Sequence, residues 1–282
     1  MIGIGRMGYP IAQRLLAAGH AVGVWNRPPG PAETLIATGA KAYADVGQLV
    51  AACDAVLLML ADAAAADSVL GRTGDRLGVD VANCLVIQLG TTHPDHSITL
   101  AETIASNGGR YVEAPVSGSR VPAEQGRLVA MLGGHREQDL SEAEAILACL
   151  TVSRFRVGPP PMAMKLKLAV NAYLVPLVTA LAEAWKLAES LGLDRQMFAE
   201  VINQGPMASD VSRVKLEKLL DDDWSAQASI NDVLMNARLI STIAREVGVA
   251  NSLVAASEQL LETARRHGNG VLDMVAVCER PV

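Results

Sequence analysis

Short apolar runs alternate with amphipathic stretches through the first half of the chain, and this alternation restricts the fold more than any other feature of the sequence. The amphipathic stretches have helical periodicity, for example over 7–18, 45–53 and 93–109. Apolar strands that alternate with helices predict a mostly parallel sheet covered by helices on both faces. The predicted strands are the runs 21–26, 55–60, 84–90, 110–116 and 127–134.

The strand pattern ends near residue 160, and the remainder of the chain has only helical periodicity. A long helix is predicted over 162–191, and Gly192 is suited to end it. We therefore expect two domains, an α/β domain over 1–160 and an all-helical domain over 161–282. Further helices are predicted near 194–203, 206–220, 229–247 and 251–267.

Composition excludes several classes of protein. Half of the 282 residues are hydrophobic and 19% are charged, so the chain can bury a large core. The net charge of −6 argues against a nucleic-acid surface. The four cysteines and five histidines are scattered, which predicts neither disulfides nor a metal site. Because no secretory signal is visible, we expect a cytoplasmic protein.

The most membrane-like stretch covers residues 166–185. It contains Lys167, Asn171, Pro176 and Glu183, which are costly in lipid, so we expect a helix that is buried all round between domains and no membrane contact. Such a helix has more apolar faces than one small domain covers, and this predicts a homodimer.

Near its start the chain reads G-x-G-x-x-G, the spacing of a dinucleotide-binding turn. Gly3 would allow the tight turn, Gly5 would let the backbone approach a pyrophosphate, and Gly8 would let the following helix pack closely. Arg6 and Met7 complete the predicted cofactor-binding turn, where the helix N-terminus favours phosphate.

Only Met1 and Ile2 precede this turn, although a buried strand of about five residues normally does. The central strand of the sheet is therefore expected to be a stub. We hypothesise that the natural chain starts upstream of Met1.

The second predicted strand ends in "VWNRPP", which bears on the choice of cofactor. An enzyme selective for NAD usually has an acidic residue there for the ribose 2′-hydroxyl. This chain has Asn26 and Arg27, and a guanidinium pairs well with a 2′-phosphate. The sequence therefore predicts a preference for NADP(H) over NAD(H).

Three further segments, 60–70, 112–134 and 157–171, resemble the β-hydroxyacid dehydrogenases. The form "APVSGSRVPAEQG" is most similar to the glyoxylate/succinic semialdehyde reductases. The resemblance covers essentially the whole chain. It implies a Rossmann-type, doubly wound sheet followed by a helical domain like that of 6-phosphogluconate dehydrogenase. It also implies hydride transfer between NADP(H) and a small aldehyde or keto acid.

The resemblance assigns roles to particular residues. Leu60 and Ala61 fall in the loop that the family places beside the nicotinamide, and Thr91 matches its threonine near the same ring. In the segment Ser117, Gly118 and Ser119, hydroxyl and backbone N–H groups would bind a substrate carboxylate.

Two lysines compete for the catalytic role in the segment 157–171. The family pattern is Lys-x-x-x-Asn, which Lys167 and Asn171 satisfy, whereas Lys165 has an alanine four residues later. Residues four apart share one helix face. Lys167 would protonate the developing alkoxide, and Asn171 would bind the substrate oxygen or steady the lysine.

Some positions depart from the family pattern. The family usually reads Asp-x-Ser-Thr where this chain has Gln88 and Gly90, and it often has lysine at the position of Asn231. Asp232 remains as a candidate substrate ligand. An imine reductase-like NADPH enzyme and a non-catalytic cofactor-binding scaffold stay open, although both typically lack the lysine. The substrate, the favoured direction and any oligomer beyond a dimer also stay open.

Overall fold

The computed structural model describes residues 1–27 and 30–278. The chain divides into two compact units, Met1–Lys167 and Leu168–Val282. The first unit is an α/β domain and the second is helical. The predicted fold class, a Rossmann-type mostly parallel sheet followed by a helical domain, is confirmed.

The elements follow the predicted order closely. The strands are β1 (Gly23–Val24), β2 (Lys41–Ala42), β3 (Ala55–Leu58), β4 (Leu85–Gln88), β5 (Arg110–Glu113), β6 (Val116–Ser117), β7 (Leu128–Gly134) and β8 (Thr151–Gly158). The helices of the first unit are α1 (Gly8–Ala17), α2 (Gly30–Ile36), α3 (Val46–Ala51), α4 (Ala63–Leu70), α5 (Pro94–Ser106), α6 (Arg120–Glu124) and α7 (Glu137–Leu147). The later helices are α8 (Met162–Ser190), α9 (Arg195–Gln204), α10 (Asp210–Leu220), α11 (Ile230–Glu246) and α12 (Ser252–Arg266), followed by two short 3-10 helices, Asn269–Val271 and Met274–Cys278.

The expected central stub is present, and one residue forms it. Ile2 makes parallel bridges to Trp25 on one side and to Leu58 on the other. Its N–H donates to the Leu57 carbonyl, and its own carbonyl accepts from Met59, at 2.9 Å in both cases. Ile2 thus joins the parallel β1–β2 pair to the larger sheet, in which β3, β4 and β5 are parallel.

The far end of the sheet differs from the prediction. The run 110–116 is divided into β5 and β6, and both pair antiparallel with β7. The prediction also missed two strands, namely β2 and β8, the second of which pairs parallel with β7. Val152 and Phe155 on this strand are exposed, so β8 lacks the continuous apolar character by which the other strands were found.

In the second unit, α8 is the dominant element and Gly192 ends it with φ +71°, as predicted. By length and composition alone, α8 is long and apolar enough to cross a membrane. The expectation that it is buried all round is wrong for the single chain, because 39% of its most apolar window is buried. Tyr173 and Leu187 are among its exposed residues.

Helix α10 begins at Asp210 rather than near 206, since Ser209 caps it by accepting from the N–H of Ser212. The core of the second unit is apolar. It includes Val178, Trp185, Leu216, Leu234, Ala237 and Leu261.

Candidate active site

The glycine turn has the geometry that its sequence predicts. Gly3 has φ +89°, and a Cβ there would lie 2.3 Å from the Met59 carbonyl oxygen. A Cβ on Gly8 would lie 1.9 Å from the carbonyl oxygen of Gly3, so glycine is required for helix α1 to approach the turn. By contrast, a Cβ on Gly5 would meet nothing within 4 Å, which leaves the backbone open to a ligand.

Helix α1 begins directly after this turn, and its N-cap residue Met7 makes no side-chain capping hydrogen bond. The first N–H groups of a helix have no carbonyl one turn earlier, and the helix dipole favours an anion there. Arg6 is exposed at the same end. The turn therefore fits the pyrophosphate of a dinucleotide.

Asn26 and Arg27 follow the carboxyl end of β1. The glycine turn lies at the same edge of the sheet. The Asn26 side-chain oxygen accepts from the N–H of Ile4 at 2.9 Å, so Asn26 helps to fix the conformation of the glycine turn. Arg27 is exposed, and its guanidinium is accessible to a ligand.

Two more predicted cofactor residues follow β3, and a third follows β4. Leu60 is half-buried and Ala61 is exposed, while Asp62 caps α4 by accepting from Ala65 at 2.7 Å. A Cβ on Gly90 would lie 2.7 Å from the Leu60 carbonyl oxygen, which explains a glycine where the family often has serine. Thr91 comes next and is half-buried.

Gln88 ends β4 and is fully buried. Its amide nitrogen is 3.4 Å from the Gly90 carbonyl oxygen. These residues, like the glycine turn, lie beyond the carboxyl ends of parallel strands, which is where ligands bind in open α/β sheets.

The predicted carboxylate-binding segment is a tight turn between β6 and α6. Gly118 has φ +124°, and a Cβ there would lie 2.6 Å from a Leu128 methyl carbon, so only glycine suits the position. Ser117 and Ser119 flank it and are half-buried, and Ser119 is the N-cap of α6 without donating or accepting a capping hydrogen bond through its side chain.

Burial separates the two candidate lysines. Lys165 is exposed, whereas Lys167 is 7% exposed. Within residues 1–27 and 30–278, no hydrogen bond or ion pair satisfies the Lys167 ammonium group. Burial alone lowers the pKa of Lys167 from 10.5 to about 8. A buried cation without a partner is costly, and such groups concentrate at functional sites.

Glu113, which the sequence analysis missed, holds the start of the helix that carries Lys167. One carboxylate oxygen accepts from the N–H of Ala163 at 2.6 Å, and the other accepts from the Ser97 hydroxyl. Burial raises the pKa of Glu113, and the hydrogen bonds from Ser97, Ala163 and Met164 oppose that shift.

The carboxyl group lies at the N-terminus of α8, where the helix dipole favours negative charge. An acidic residue inside the apolar run 110–116 was the available signal for a buried carboxylate.

In the second unit, Asn171 is buried, and its side-chain nitrogen donates to the Asn236 side-chain oxygen at 3.0 Å. Asp232 has a structural role, because it forms a capping box with Ser229 at the start of α11. Asn231 lies against the 3-10 segment: its amide oxygen is 2.5 Å from where a Gly270 Cβ would be. The spacing Ser-x-x-Asp could have indicated this capping box, and the role of Asp232 as a substrate ligand stays a prediction.

The described part of the chain contains no group of three or more His, Cys, Asp or Glu side chains placed to hold a metal ion.

Comparison with known proteins identifies the family. Residues 1–158 match the model for the NAD-binding domain of 6-phosphogluconate dehydrogenase, and residues 162–280 match the model for the NAD-binding domain of NADP-dependent 3-hydroxyisobutyrate dehydrogenase. The chain belongs to the 3-hydroxyisobutyrate dehydrogenase family. It is accordingly an NAD(P)-binding oxidoreductase, and the resemblance to the β-hydroxyacid dehydrogenases is confirmed.

The relatives of similar sequence include proteins named as reductases and proteins named as nuclear factors. The chain is 30% identical to glyoxylate/succinic semialdehyde reductase 2 of Arabidopsis thaliana, over 99% of this chain and 77% of that protein. It is 29% identical to the cytokine-like nuclear factor N-PAC of Homo sapiens, over 98% of this chain. It spans about half the length of N-PAC, namely 50%.

Several solved structures share the fold of this chain. The Salmonella typhimurium 3-hydroxyisobutyrate dehydrogenase has a TM-score of 0.89 at 22% identity, covering 98% of this chain and 96% of that one. Psf3, in a complex with NADP+ and 2-OPP, has a TM-score of 0.89 at 25% identity, covering 98% and 97%. An imine reductase from Pseudomonas sp. has a TM-score of 0.68 at 22% identity, covering 98% and 96%.

Proposed function

We propose that this protein is an NADPH-dependent reductase of a small aldehyde or keto acid, able to run the reverse oxidation of the hydroxy acid. The observation that carries the proposal is the Lys167 ammonium group, which is buried and lacks a partner among the described residues. The exposed Lys165, two residues earlier, has no such environment.

Lys167 serves as the general acid and base. In reduction its ammonium group donates a hydrogen bond and then a proton to the carbonyl oxygen; in oxidation the neutral amine accepts the proton of the hydroxyl group. A bound nicotinamide supplies or accepts the hydride. Because the pKa of Lys167 is lowered to about 8, reduction should slow above that pH, whereas oxidation should accelerate.

The turn residues Gly3, Gly5, Arg6, Met7 and Gly8 would hold the cofactor diphosphate, and Asn26 and Arg27 would hold its adenosine ribose. Leu60, Ala61 and Thr91 would lie towards the nicotinamide. The exposed guanidinium of Arg27 and the NADP+ complex of a structural relative support a preference for NADP(H).

Cofactor choice is tested by the substitution Arg27→Ala. Loss of a charge-assisted hydrogen bond to the 2′-phosphate should raise the Kd for NADPH by about tenfold or more. The Kd for NADH should change less than about twofold. Equal weakening of both nucleotides would show that Arg27 does not select the cofactor.

For the substrate, we propose a small carboxylate-bearing aldehyde or keto acid, as the name of the Arabidopsis relative suggests. The hydroxyl groups of Ser117 and Ser119 and the backbone around Gly118 would bind the carboxylate. Asn231, in place of the family lysine, leaves that role to this turn.

The test is NADPH consumption with glyoxylate, succinic semialdehyde, methylmalonate semialdehyde and a cyclic imine. Lys167→Ala should lower kcat/KM by about a hundredfold or more, the range of a lost general acid, while NADPH binding is retained. Lys165→Ala is the matched control and should retain activity. The reverse result for the two lysines would overturn the assignment of Lys167.

Two alternatives are outcomes of the same assay. Turnover of the imine alone would identify an imine reductase-like enzyme, whose fold the Pseudomonas structure shares. NADPH binding without any turnover would identify a non-catalytic cofactor-binding scaffold.

The proposed enzyme is a cytoplasmic homodimer. Exposed apolar side chains on α8, including Leu166, Tyr173 and Leu187, support the dimer because water contact with them is unfavourable. Light scattering coupled to gel filtration measures the oligomeric state, and a monomeric mass would refute the dimer.

A further inference from the structure

A chain of hydrogen bonds in the second unit determines which end of the Asn171 amide remains available. The Asn236 side-chain nitrogen donates to the Asp232 backbone carbonyl at 2.8 Å. The Asn236 side-chain oxygen accepts from the Asn171 side-chain nitrogen at 3.0 Å. A backbone carbonyl can only accept, so the orientation of Asn236 is fixed, and the orientation of Asn171 follows from it.

This chain leaves one acceptor without a partner. The Asn171 side-chain oxygen is buried and accepts no hydrogen bond within residues 1–27 and 30–278, and the residue is 5% exposed. An unsatisfied buried polar atom destabilises the folded protein. Such a cost is tolerated where a ligand supplies the missing partner, and Asn171 lies one helical turn after Lys167.

We propose that Asn236 is a positioning residue that makes Asn171 present a hydrogen-bond acceptor to the substrate, so that this position selects ligands with a hydroxyl group. The inference rests on the proposed function. A carbonyl or carboxylate oxygen has no proton to offer Asn171, whereas the hydroxyl of the hydroxy acid does. The enzyme therefore binds the hydroxy acid more tightly than an analogue in which hydrogen replaces that hydroxyl.

Binding measurements test this preference without relying on turnover. Calorimetry in saturating NADP+ compares two pairs of acids, glycolate with acetate and 4-hydroxybutyrate with butyrate. In at least one pair the natural protein should bind the hydroxy acid about tenfold more tightly, the effect of one net hydrogen bond.

Substitutions at Asn236 separate positioning from general damage. Asn236→Ala allows the Asn171 amide to rotate and should abolish the tenfold preference, raising the KM for the hydroxy acid while kcat changes less than about threefold. Asn236→Asp still accepts from Asn171 and should retain the preference. The Kd for NADP+ should be equal in all three proteins.

A second substitution keeps the test decisive if Asn236→Ala alters folding. Asn171→Asp presents an oxygen in either orientation and should retain the preference even when combined with Asn236→Ala. The inference is overturned if the natural protein shows no preference in either pair, or if Asn236→Ala retains it. A preference without any turnover would instead refute the proposed reaction and leave the role of Asn236 standing.

Discussion

Two lysines, one in α8 and one in α10, are almost equally buried yet have opposite surroundings. Lys215 is 5% exposed, and its ammonium group lies 2.7 Å from a carboxylate oxygen of the fully buried Asp273. Lys167 is 7% exposed and has no hydrogen-bond or ion-pair partner in the described part of the chain. A buried ammonium group that is paired with a carboxylate can have a structural role. A buried ammonium group without a counter-ion lowers the stability of the fold and can act on a bound substrate.

The largest effect should come from breaking the paired site. Asp273→Asn leaves the Lys215 ammonium group buried without a counter-charge, so the free energy of unfolding should fall by about 3–5 kcal/mol. Urea denaturation at pH 7 measures this change.

The matched control combines Asp273→Asn with Lys215→Met. Removing the stranded ammonium group should recover much of the lost stability, because the penalty belongs to the unpaired charge. Equal stability of the single and double variants would contradict the comparison.

The unpaired site should respond in the opposite direction. Burial lowers the pKa of Lys167 from 10.5 to about 8, so the unfolded chain holds this proton more tightly than the folded one. Lys167→Met should therefore stabilise the protein at pH 7 by about 3 kcal/mol while abolishing turnover. Denaturation with urea at several pH values measures the difference.

The pH dependence distinguishes this effect from better packing. The stability of the natural protein should rise between pH 8 and 10.5, because over that range the folded state has lost the Lys167 proton while the unfolded state still holds it. The advantage of Lys167→Met should shrink over the same range. Lys165→Met, at the exposed position, should change stability by less than about 0.5 kcal/mol at any pH.

The smallest change concerns the buried carboxylate of Glu113. Glu113→Ala removes the acceptor for Ser97, Ala163 and Met164 and should lower the free energy of unfolding by about 2 kcal/mol. Glu113→Gln retains one carbonyl oxygen for the helix N-terminus and should lose less. If both variants match the natural protein, Glu113 does not secure the start of α8.

Much of the fold was predictable because its signals are local. Gly3 and Gly8 were assigned from spacing, and the backbone contacts that exclude a Cβ there agree with those roles. Gly192 was predicted to end α8, and it does so in the left-handed conformation. Strand β8 was missed because its exposed residues break the apolar pattern on which strand prediction relies.

Within the candidate site, only residues that belong to short sequence motifs could be predicted. The choice of Lys167 over Lys165 came from the spacing to Asn171, but burial and the missing partner become visible only in three dimensions. Glu113 precedes its hydrogen-bond partner Ala163, at the start of α8, by 50 residues. Asn236 likewise follows its partner Asn171 by 65 residues. The periodicity of helices and strands does not predict contacts between residues so far apart in the sequence.

The single-residue bridge at Ile2 has a consequence for local motion in the first unit. Among the described residues, the β1–β2 ladder is joined to that of β3 only at the backbone of Met1, Ile2 and Gly3. Separating these few hydrogen bonds exposes the amides of Gly3 and Trp25 together, so they should exchange with deuterium as one group and earlier than those of β4. A dinucleotide that is bound by both the glycine turn and Arg27 would connect the β1–β2 pair to the rest of the sheet and slow that exchange. In that case the bound dinucleotide would help to hold β1 and β2 to the rest of the sheet.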